Sequence, residues 1–231
     1  MPDYQFTNNW FLISTNNTQT WKRLLARYQP SRVLEIGSYE GASACFIIET
    51  CAAERPLELH CVDTWQGSIE HQAEVMSGAA HDLEFAMHAS MEHSREIMGA
   101  VERRFDHNVE LARSVARHPV QFAKHKTTSQ QALTRLLAEG RASSFDFVYV
   151  DGSHTAPDVL SDAVLSFALL RVGGLLVFDD YLWAMGARRD RENALDTPKP
   201  AIDAFANIYH HKLVVLPDEP LRQIYMEKVA E

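Results

Sequence analysis

Two short apolar segments of the sequence end in acidic residues and a histidine, the residue types that could carry out chemistry. The segments are Phe145–Val150 and Leu175–Phe178. The polar residues that follow them are Asp151, His154, Asp179 and Asp180. Segments rich in β-branched and aromatic residues are typical of buried parallel strands, and open α/β sheets place ligand sites beyond the carboxyl ends of such strands. We therefore expect these four side chains to lie in one cleft.

Close carboxylates repel one another and are costly to desolvate unless a cation lies among them. Asp151, Asp179 and Asp180 are therefore predicted to hold a cation. Histidine side chains ordinarily titrate near neutrality, so His154 could act as a general base, and Asp151 is the second candidate catalytic residue. A helix-capping Asp151 and a structural His154 are the alternative interpretations.

A glycine turn near the start of the chain suggests a cofactor site. The segment Arg32–Ile36 predicts a strand that runs into the pattern E-x-G-x-x-x-G, whose fixed residues are Glu35, Gly37 and Gly41. Glycines let the backbone pass close to a ligand, whereas an acid before the first glycine disfavours a pyrophosphate. The second predicted strand ends in Asp63, which is placed to accept hydrogen bonds from ribose hydroxyls. An adenosine-containing cofactor with a positive or zwitterionic tail fits these features, and S-adenosylmethionine (SAM) is such a molecule.

The remaining segments alternate between helical and extended patterns. Helices are predicted at about 18–28, 42–54, 82–116, 129–139, 156–172 and 202–209, and further strands at 57–62, 120–125, 212–216 and 222–228. The fifth strand is expected to begin after Gly173-Gly174, and Leu160, Ala163, Val164 and Phe167 are expected to form a buried stripe on the helix before it. The short turn between the last two strands permits only an antiparallel pair. We predict a single domain over residues 1–231, with an N-terminal arm at 1–17 and a helical cap insert at 66–118.

Composition limits the class of protein. The net charge of −9 makes a nucleic-acid partner unexpected, because nucleic-acid binding requires a basic face. Three cysteines without compact spacing argue against a disulfide framework. The N-terminus has no basic region followed by an apolar run, and no apolar stretch is long enough to cross a bilayer. We therefore expect a cytoplasmic protein with no membrane partner.

Four segments together resemble the class I SAM-dependent methyltransferases. They are Val33–Ser38, Val62–Trp65, Val150–His154 and Gly173–Tyr181. The resemblance covers about residues 31–65 and 119–230. It is strongest to a bacterial subgroup that includes metal-dependent O-methyltransferases acting on sugars of macrolide and aminocoumarin natural products.

The resemblance implies a Rossmann-like α/β fold with a seven-stranded mixed sheet of order 3-2-1-4-5-7-6. The last strand is antiparallel, and helices cover both faces. The resemblance also implies that Asp151, Asp179 and Asp180 hold Mg²⁺ and that His154, three residues after the first metal-binding acid, is the general base. The expected cofactor-binding residues are Glu35, Gly37, Ser38, Gly41, Asp63, Thr64, Trp65, Ser129 and Asp151.

The sequence thus predicts SAM-dependent, Mg²⁺-dependent O-methylation of a small molecule in secondary metabolism. A sugar hydroxyl, a phenol and a carboxylate remain open as acceptors, and the aromatic arm and long insert suggest a homodimer. A nicotinamide-dependent oxidoreductase is the second enzyme interpretation, although Tyr39 stands where the second glycine of G-x-G-x-x-G would be. The third is a binding module that keeps the cofactor fold without catalysis.

Overall fold

The computed structural model of the chain describes residues 2–7, 10–13, 15–67, 83–183, 197–217 and 219–231. The first part of the predicted insert, residues 68–82, and the charged segment 184–196 lie outside the described residues. The described helices and strands account for every element that the sequence predicts.

A seven-stranded sheet forms the centre of the fold. Its strands are β1 (Arg32–Ile36), β2 (Leu57–Asp63), β3 (Val120–Lys126), β4 (Phe145–Val150), β5 (Leu170–Phe178), β6 (Leu213–Val215) and β7 (Ile224–Lys228). The spatial order is β3-β2-β1-β4-β5-β7-β6. Strands β1 to β5 pair in parallel, whereas β7 is antiparallel to both β5 and β6. The predicted fold class and strand order are confirmed.

Helices pack on both faces of the sheet and form two hydrophobic layers. The helices are α1 (Trp10–Ile13), α2 (Thr15–Tyr28), α3 (Ala42–Cys51), α4 (Leu83–Ser114), α5 (Ser129–Ala138), α6 (Ala156–Leu169) and α7 (Lys199–Ile208). On one face, α2, α3 and α4 contribute Trp21, Phe46 and Phe105 to one buried cluster. The other cluster contains Leu133, Phe167 and Phe205 from α5, α6 and α7.

Strand β4 is mostly apolar because both of its faces are covered. Its Phe147 and Tyr149 belong to the first cluster, whereas Val148 and Val150 belong to the second. Successive side chains of a strand point to opposite faces, so a strand between two helical layers is apolar on both. This explains why β4 ends abruptly in charge: Asp151 is the first residue beyond the covered part of the strand.

Two predictions near the fifth strand are wrong: the start of that strand and the buried stripe of the helix before it. Strand β5 begins at Leu170, so Gly173-Gly174 lies inside the strand and does not mark its start. The predicted stripe on α6 is wrong at Leu160 and Val164, which are exposed by 37% and 40%. The buried face of α6 is polar in part, because Asp162 and Ser166 occupy it together with the apolar residues. Hydrophobicity alone therefore misplaced the face.

The N-terminal residues continue the core of the domain. Helix α2 begins at Thr15, within the segment predicted as an arm. The ring of Phe11, which precedes it, contacts the rings of Trp21 and Phe46 at centroid distances of 4.8 and 5.4 Å. Burial of this aromatic residue matches the interpretation in which the arm covers the domain's own core.

The second half of helix α4 packs in the same layer. Phe105, Val109 and Ala112, the predicted inward face of the insert, are all buried. This part of the insert therefore belongs to the helical layer beside α3, and a capping role for the rest of it stays a prediction. The cysteines are buried free thiols, and no helix in the described ranges is long and apolar enough to cross a membrane.

A carboxylate lies in the core beneath the sheet edge. Asp162 of α6 is 1% exposed, and its carboxylate is hydrogen-bonded to the side chain of Ser129. Within the described residues, its Oδ1 atom has no hydrogen-bond partner. Burial is the main cause that raises the pKa of Asp162 from 3.8 to about 7. The charge of nearby Asp158 also raises it, whereas the hydrogen bond from Ser129 lowers it. Folding therefore favours the protonated acid.

This raised pKa predicts the pH dependence of stability. A raised folded-state pKa contributes stability that is present below 3.8 and is lost as the pH rises through about 7. D162N removes this loss, so its advantage over the wild type should grow from pH 4 to pH 8. The advantage should reach up to about 4 kcal/mol, at about 1.4 kcal/mol per pKa unit. Urea unfolding at several pH values measures it, with D3N at an exposed aspartate as control. A difference that stays constant with pH would contradict the prediction.

Candidate active site

The candidate site lies at the point where the order in which strands are added to the sheet reverses. Strands β1 and β4 are neighbours, and the chain proceeds outward from them to opposite edges. In open α/β sheets, ligands bind in the crevice at such a point. The turn after β1 begins at Gly37, and the turn after β4 begins at Asp151. The two turns meet, because the N–H of Asp151 donates to the carbonyl of Ile36 at 2.8 Å.

Gly37 fits this meeting point because it lacks a side chain. Its φ is +85°, in the left-handed region that favours glycine. A Cβ atom added there would lie 1.9 Å from the carbonyl oxygen of Asp151. The contact therefore requires glycine for both its conformation and its size. Gly41, at φ +83°, precedes α3 and packs against the ring of Phe105.

Glu35 lies beneath the glycine turn and is 0% exposed. Its carboxylate accepts hydrogen bonds from the hydroxyls of Ser38 at 2.6 Å and Ser43 at 2.5 Å. Burial raises the pKa of Glu35, and the two hydroxyls act in the opposite direction. Glu35 thus connects the glycine turn to the start of α3 through its two hydroxyl partners.

Asp63 also holds the turn. Its Oδ2 atom accepts the backbone N–H groups of Ser38 and Tyr39, both at 3.0 Å, and its Oδ1 atom accepts that of Trp65 at 2.7 Å. The indole N–H of Trp65 returns to the carbonyl of Tyr39 at 3.0 Å. Thr64 caps the following residues, because its hydroxyl accepts the N–H of Gln66. The ends of β1 and β2 therefore form one hydrogen-bonded unit.

Ser129 lies at the other side of the switch point, at the first turn of α5. Thr128 caps this helix, with its side chain accepting the N–H of Gln131 at 3.4 Å. The side chain of Ser129 is engaged with the buried carboxylate of Asp162. The structure thus connects this predicted cofactor residue to the core and not to Asp63 or Glu35.

Three of the four residues predicted for chemistry gather beyond β4 and β5. Asp151, His154 and Asp180 each offer one ligand atom within 4.8 Å of the others. The Nε2 atom of His154 lies 3.2 Å from Oδ2 of Asp180. The ring of Trp183 packs on the His154 ring at a centroid distance of 4.4 Å. An imidazole and two carboxylates at this separation form a possible binding site for a cation.

Asp179 adjoins this group but is held by the protein. Its Oδ2 atom accepts hydrogen bonds from the hydroxyl of Tyr149 and from Nε2 of Gln223, the latter at 2.9 Å. Its Oδ1 atom accepts the backbone N–H of Asp180 at 2.7 Å. The Tyr149 hydroxyl also lies 3.0 Å from Oδ2 of Asp151. One buried phenol therefore joins the carboxylates at the ends of β4 and β5.

The electrostatics of this cluster are unfavourable for an anionic ligand. Burial, and then the charges of Asp179 and Asp180, raise the pKa of Asp151 well above its usual value. Burial, and then the charge of Asp180, also raise the pKa of Asp179. Burial and mutual repulsion therefore disfavour the ionised forms of these acids, and a bound cation would favour them.

Sequence reasoning missed three polar or aromatic residues of the site. The sequence pattern predicts Tyr149 as a residue of the strand core and Gln223 as part of the closing hairpin, and it gives no signal for Trp183. The pairing register brings Gln223 opposite Asp179, because Phe178 pairs with Ile224. Gln223 is a polar residue at a position that the strand pattern predicts as buried. Such a residue indicates a buried hydrogen-bond partner, and this was the signal that the sequence offered.

The N-terminal segment is tied to the glycine turn through Glu40. The buried carboxylate of Glu40 accepts the N–H of Thr7 at 2.6 Å and Nε of Arg104 at 2.5 Å. Asn108 accepts the N–H of Gln5 at 2.7 Å and donates to the carbonyl of Glu40 at 2.9 Å. These contacts connect the arm, α4 and the turn after β1.

The comparisons with known proteins agree with this geometry. Residues 34–181 match the methyltransferase domain family, a span that includes both glycine turn and carboxylate cluster. The chain therefore belongs to that family, and the predicted membership is confirmed. The search of curated proteins found no match.

Solved structures share the fold at low sequence identity. The O-methyltransferase TomG from Streptomyces achromogenes, in complex with SAM and involved in tomaymycin synthesis, has a TM-score of 0.57 at 16% identity, with 94% of this chain and 81% of that chain covered. An O-methyltransferase from Bacillus cereus in complex with S-adenosylhomocysteine (SAH) has a TM-score of 0.52 at 14% identity, with 99% of this chain and 84% of that chain covered. The SAH-bound Podospora anserina methyltransferase PaMTH1 has a TM-score of 0.51 at 15% identity, with coverage of 92% and 78%.

The contact between Gly37 and Asp151 predicts the effect of a methyl group. G37A and the control G140A both place alanine at positive φ, +85° and +80°, which costs about 1 kcal/mol. Nothing lies within 4 Å of a Cβ at Gly140, whereas one at Gly37 meets backbone. G37A should therefore lose a further 1–3 kcal/mol or more, roughly the cost of overpacking. Urea unfolding measures both variants, and equal losses would contradict the prediction.

Proposed function

We propose that this protein is a SAM-dependent O-methyltransferase that uses a divalent cation, Mg²⁺ in the first instance, and acts on a small molecule. The observation that carries the proposal is the clustering of Asp151, His154 and Asp180 beside a glycine turn at the switch point of the sheet. Membership of the methyltransferase domain family supports the reaction class.

The residues fit a SAM site. Gly37 lets the turn after β1 pack directly against the end of β4 at the switch point, and the carboxylates around this contact suit a cationic ligand better than a pyrophosphate. Glu35, Ser38, Gly41 and Asp63 would shape this surface, and Thr64, Trp65 and Ser129 would flank it. SAM, when bound, supplies an electrophilic methyl group on a sulfonium sulfur.

The acidic cluster fits a divalent cation. Asp151, Asp179 and Asp180 would hold it, because close carboxylates need a compensating charge, and burial and neighbouring acids raise the pKa values of Asp151 and Asp179. Such an ion lowers the pKa of an acceptor hydroxyl and so favours its oxyanion form. Tyr149 and the backbone N–H of Asp180 would keep the carboxylates oriented.

His154 is the proposed general base. Its Nε2 atom lies 3.2 Å from Oδ2 of Asp180, and an ionised carboxylate accepts a hydrogen bond. This contact favours the tautomer with hydrogen on Nε2, which leaves the lone pair on Nδ1. That atom would receive the acceptor's proton, and the resulting imidazolium would be stabilised by Asp180. Trp183 restricts the plane of the ring.

The finer features of the function belong to the same proposal. The acceptor class is the hydroxyl of a sugar, a phenol or a carboxylate, within secondary metabolism, and a carboxylate acceptor would need no base. A cytoplasmic location and a homodimer stay predictions, as does the division into a single domain with arm and insert. Family membership decides against the nicotinamide-dependent oxidoreductase.

Ligand binding and metal removal test the proposal directly. Isothermal titration with S-adenosylhomocysteine (SAH) should show binding at micromolar to millimolar concentrations, the range in which enzymes bind small substrates. Methyl transfer to a panel of sugar, phenol and carboxylate acceptors should stop with EDTA and return with Mg²⁺. The absence of SAH binding would contradict the cofactor assignment. SAH binding without transfer to any acceptor would favour the binding-module interpretation.

Substitution of His154 tests the base. H154Q should lower kcat roughly 10²- to 10⁴-fold, because proton transfer by a positioned side chain contributes about that much. SAH affinity should be unchanged. H107Q, at an exposed histidine of α4, is the matched control and should retain full activity. An H154Q enzyme with wild-type kcat would show that the histidine is a bystander, as would be expected for a carboxylate acceptor.

A further inference from the structure

We propose that Gln223 is a positioning residue that holds the carboxylate of Asp179 for the cation site. The inference rests on the proposed function, because it takes Asp179 as part of the carboxylate cluster. Gln223 lies just before β7, far in sequence from the cluster, and the β5–β7 register places it opposite Asp179.

The orientation of the Gln223 amide is determined by its partners. The residue is 1% exposed, and its Oε1 atom accepts the indole N–H of Trp21 at 2.8 Å and the hydroxyl of Tyr225 at 2.5 Å. An indole N–H can donate but cannot accept, so the amide atom beside it must be oxygen. The amide nitrogen is therefore the atom that lies 2.9 Å from Oδ2 of Asp179 and donates to it.

Trp21 is itself held firmly. Its ring makes edge contacts with the rings of Phe11, Phe147 and Tyr149 at centroid distances of 4.8, 5.1 and 4.7 Å. Hydrogen bonds then run in one direction, from Trp21 in α2 to Gln223 and from Gln223 to Asp179. This series of hydrogen bonds connects a rigid aromatic cluster in the core to a carboxylate at the end of β5.

Gln223 supplies a second hydrogen-bond donor to the cluster, which Tyr149 alone cannot provide. A phenol has one hydrogen to donate, yet the Tyr149 oxygen lies within hydrogen-bond distance of both Asp151 and Asp179. Gln223 gives Asp179 a donor of its own, so Oδ2 is occupied by protein and the plane of the carboxylate is fixed. Oδ1 accepts the N–H of Asp180 and keeps lone-pair capacity for a ligand. Side chains that orient metal ligands in this way change metal affinity when they are replaced.

Two variants separate positioning from charge. Q223M removes the donor and keeps an unbranched side chain of similar length. Q223E keeps an acceptor for Trp21 and Tyr225 but sets a second carboxylate against Asp179. If only charge mattered, Q223E would bind a cation more tightly. If positioning matters, both variants should bind it more weakly. Q121E and Q121M, at an exposed residue of β3, are matched controls.

The experiment measures Mn²⁺ binding by electron paramagnetic resonance, with and without SAH, and SAH binding by titration in EDTA. We expect Mn²⁺ affinity to fall about 10- to 100-fold in Q223M and Q223E, the usual effect of removing an outer partner of a metal ligand. SAH affinity in EDTA and the controls should match the wild type. W21F removes only the first donor of the chain and should weaken Mn²⁺ binding less, which provides a second test should Q223M fail to fold.

Several results would overturn the inference. These are unchanged Mn²⁺ affinity in Q223M, tighter Mn²⁺ binding in Q223E, a parallel loss of SAH and Mn²⁺ binding that indicates general damage, and a wild-type protein that binds SAH but no Mn²⁺. A wild-type protein that binds no SAH would instead contradict the proposed function, while the comparison of Mn²⁺ affinities would still decide the role of Gln223.

Discussion

The backbone contact between Gly37 and Asp151 is the constraint on which the rest of the site depends. It brings the turn after β1 against the end of β4, with no space for even a methyl group between them. Every other feature is built outward from this contact. Glu35 and Asp63 hold the first turn from two sides, and the β4 side carries Asp151 into the cleft. A cofactor and an acceptor bound at these two turns would necessarily be neighbours.

Much of this arrangement is predictable from sequence because it depends on local patterns. Parallel pairing of the first strands follows from alternating strands and helices, and the reversed β7 follows from a short final turn, whereas the strand order was implied by the family resemblance. The positions of Asp151 and Asp180 after apolar runs predicted their shared cleft. What patterns could not predict is the function of groups inside the runs: Tyr149 reads as strand core, and only the structure brings its hydroxyl to two carboxylates.

Polar residues near the site show the limit of inferring burial from hydrophobicity. Glu35 and Asp63, two of the predicted cofactor-binding residues, accept hydrogen bonds from backbone or hydroxyl donors of the protein. Asp162 was missed because a buried acid interrupts the apolar stripe by which a helix face is recognised. A burial pattern read from hydrophobicity assumes that polar groups lie outside. That assumption fails where carboxylates organise turns, since each donor they accept would otherwise lack a partner.

The distribution of charge explains why such a site suits a cationic cofactor. Within the described part of the chain, Arg222 lies 3.9 Å from Asp180 and is half-exposed, whereas Asp151 and Asp179 are compensated by hydrogen-bond donors. Neutral donors orient carboxylates but leave their charge in place, so the pKa values of both acids remain raised. A phosphate-bearing cofactor would add to this charge, whereas a sulfonium and a divalent cation would offset it. The same buried acids therefore favour a cationic ligand over an anionic one.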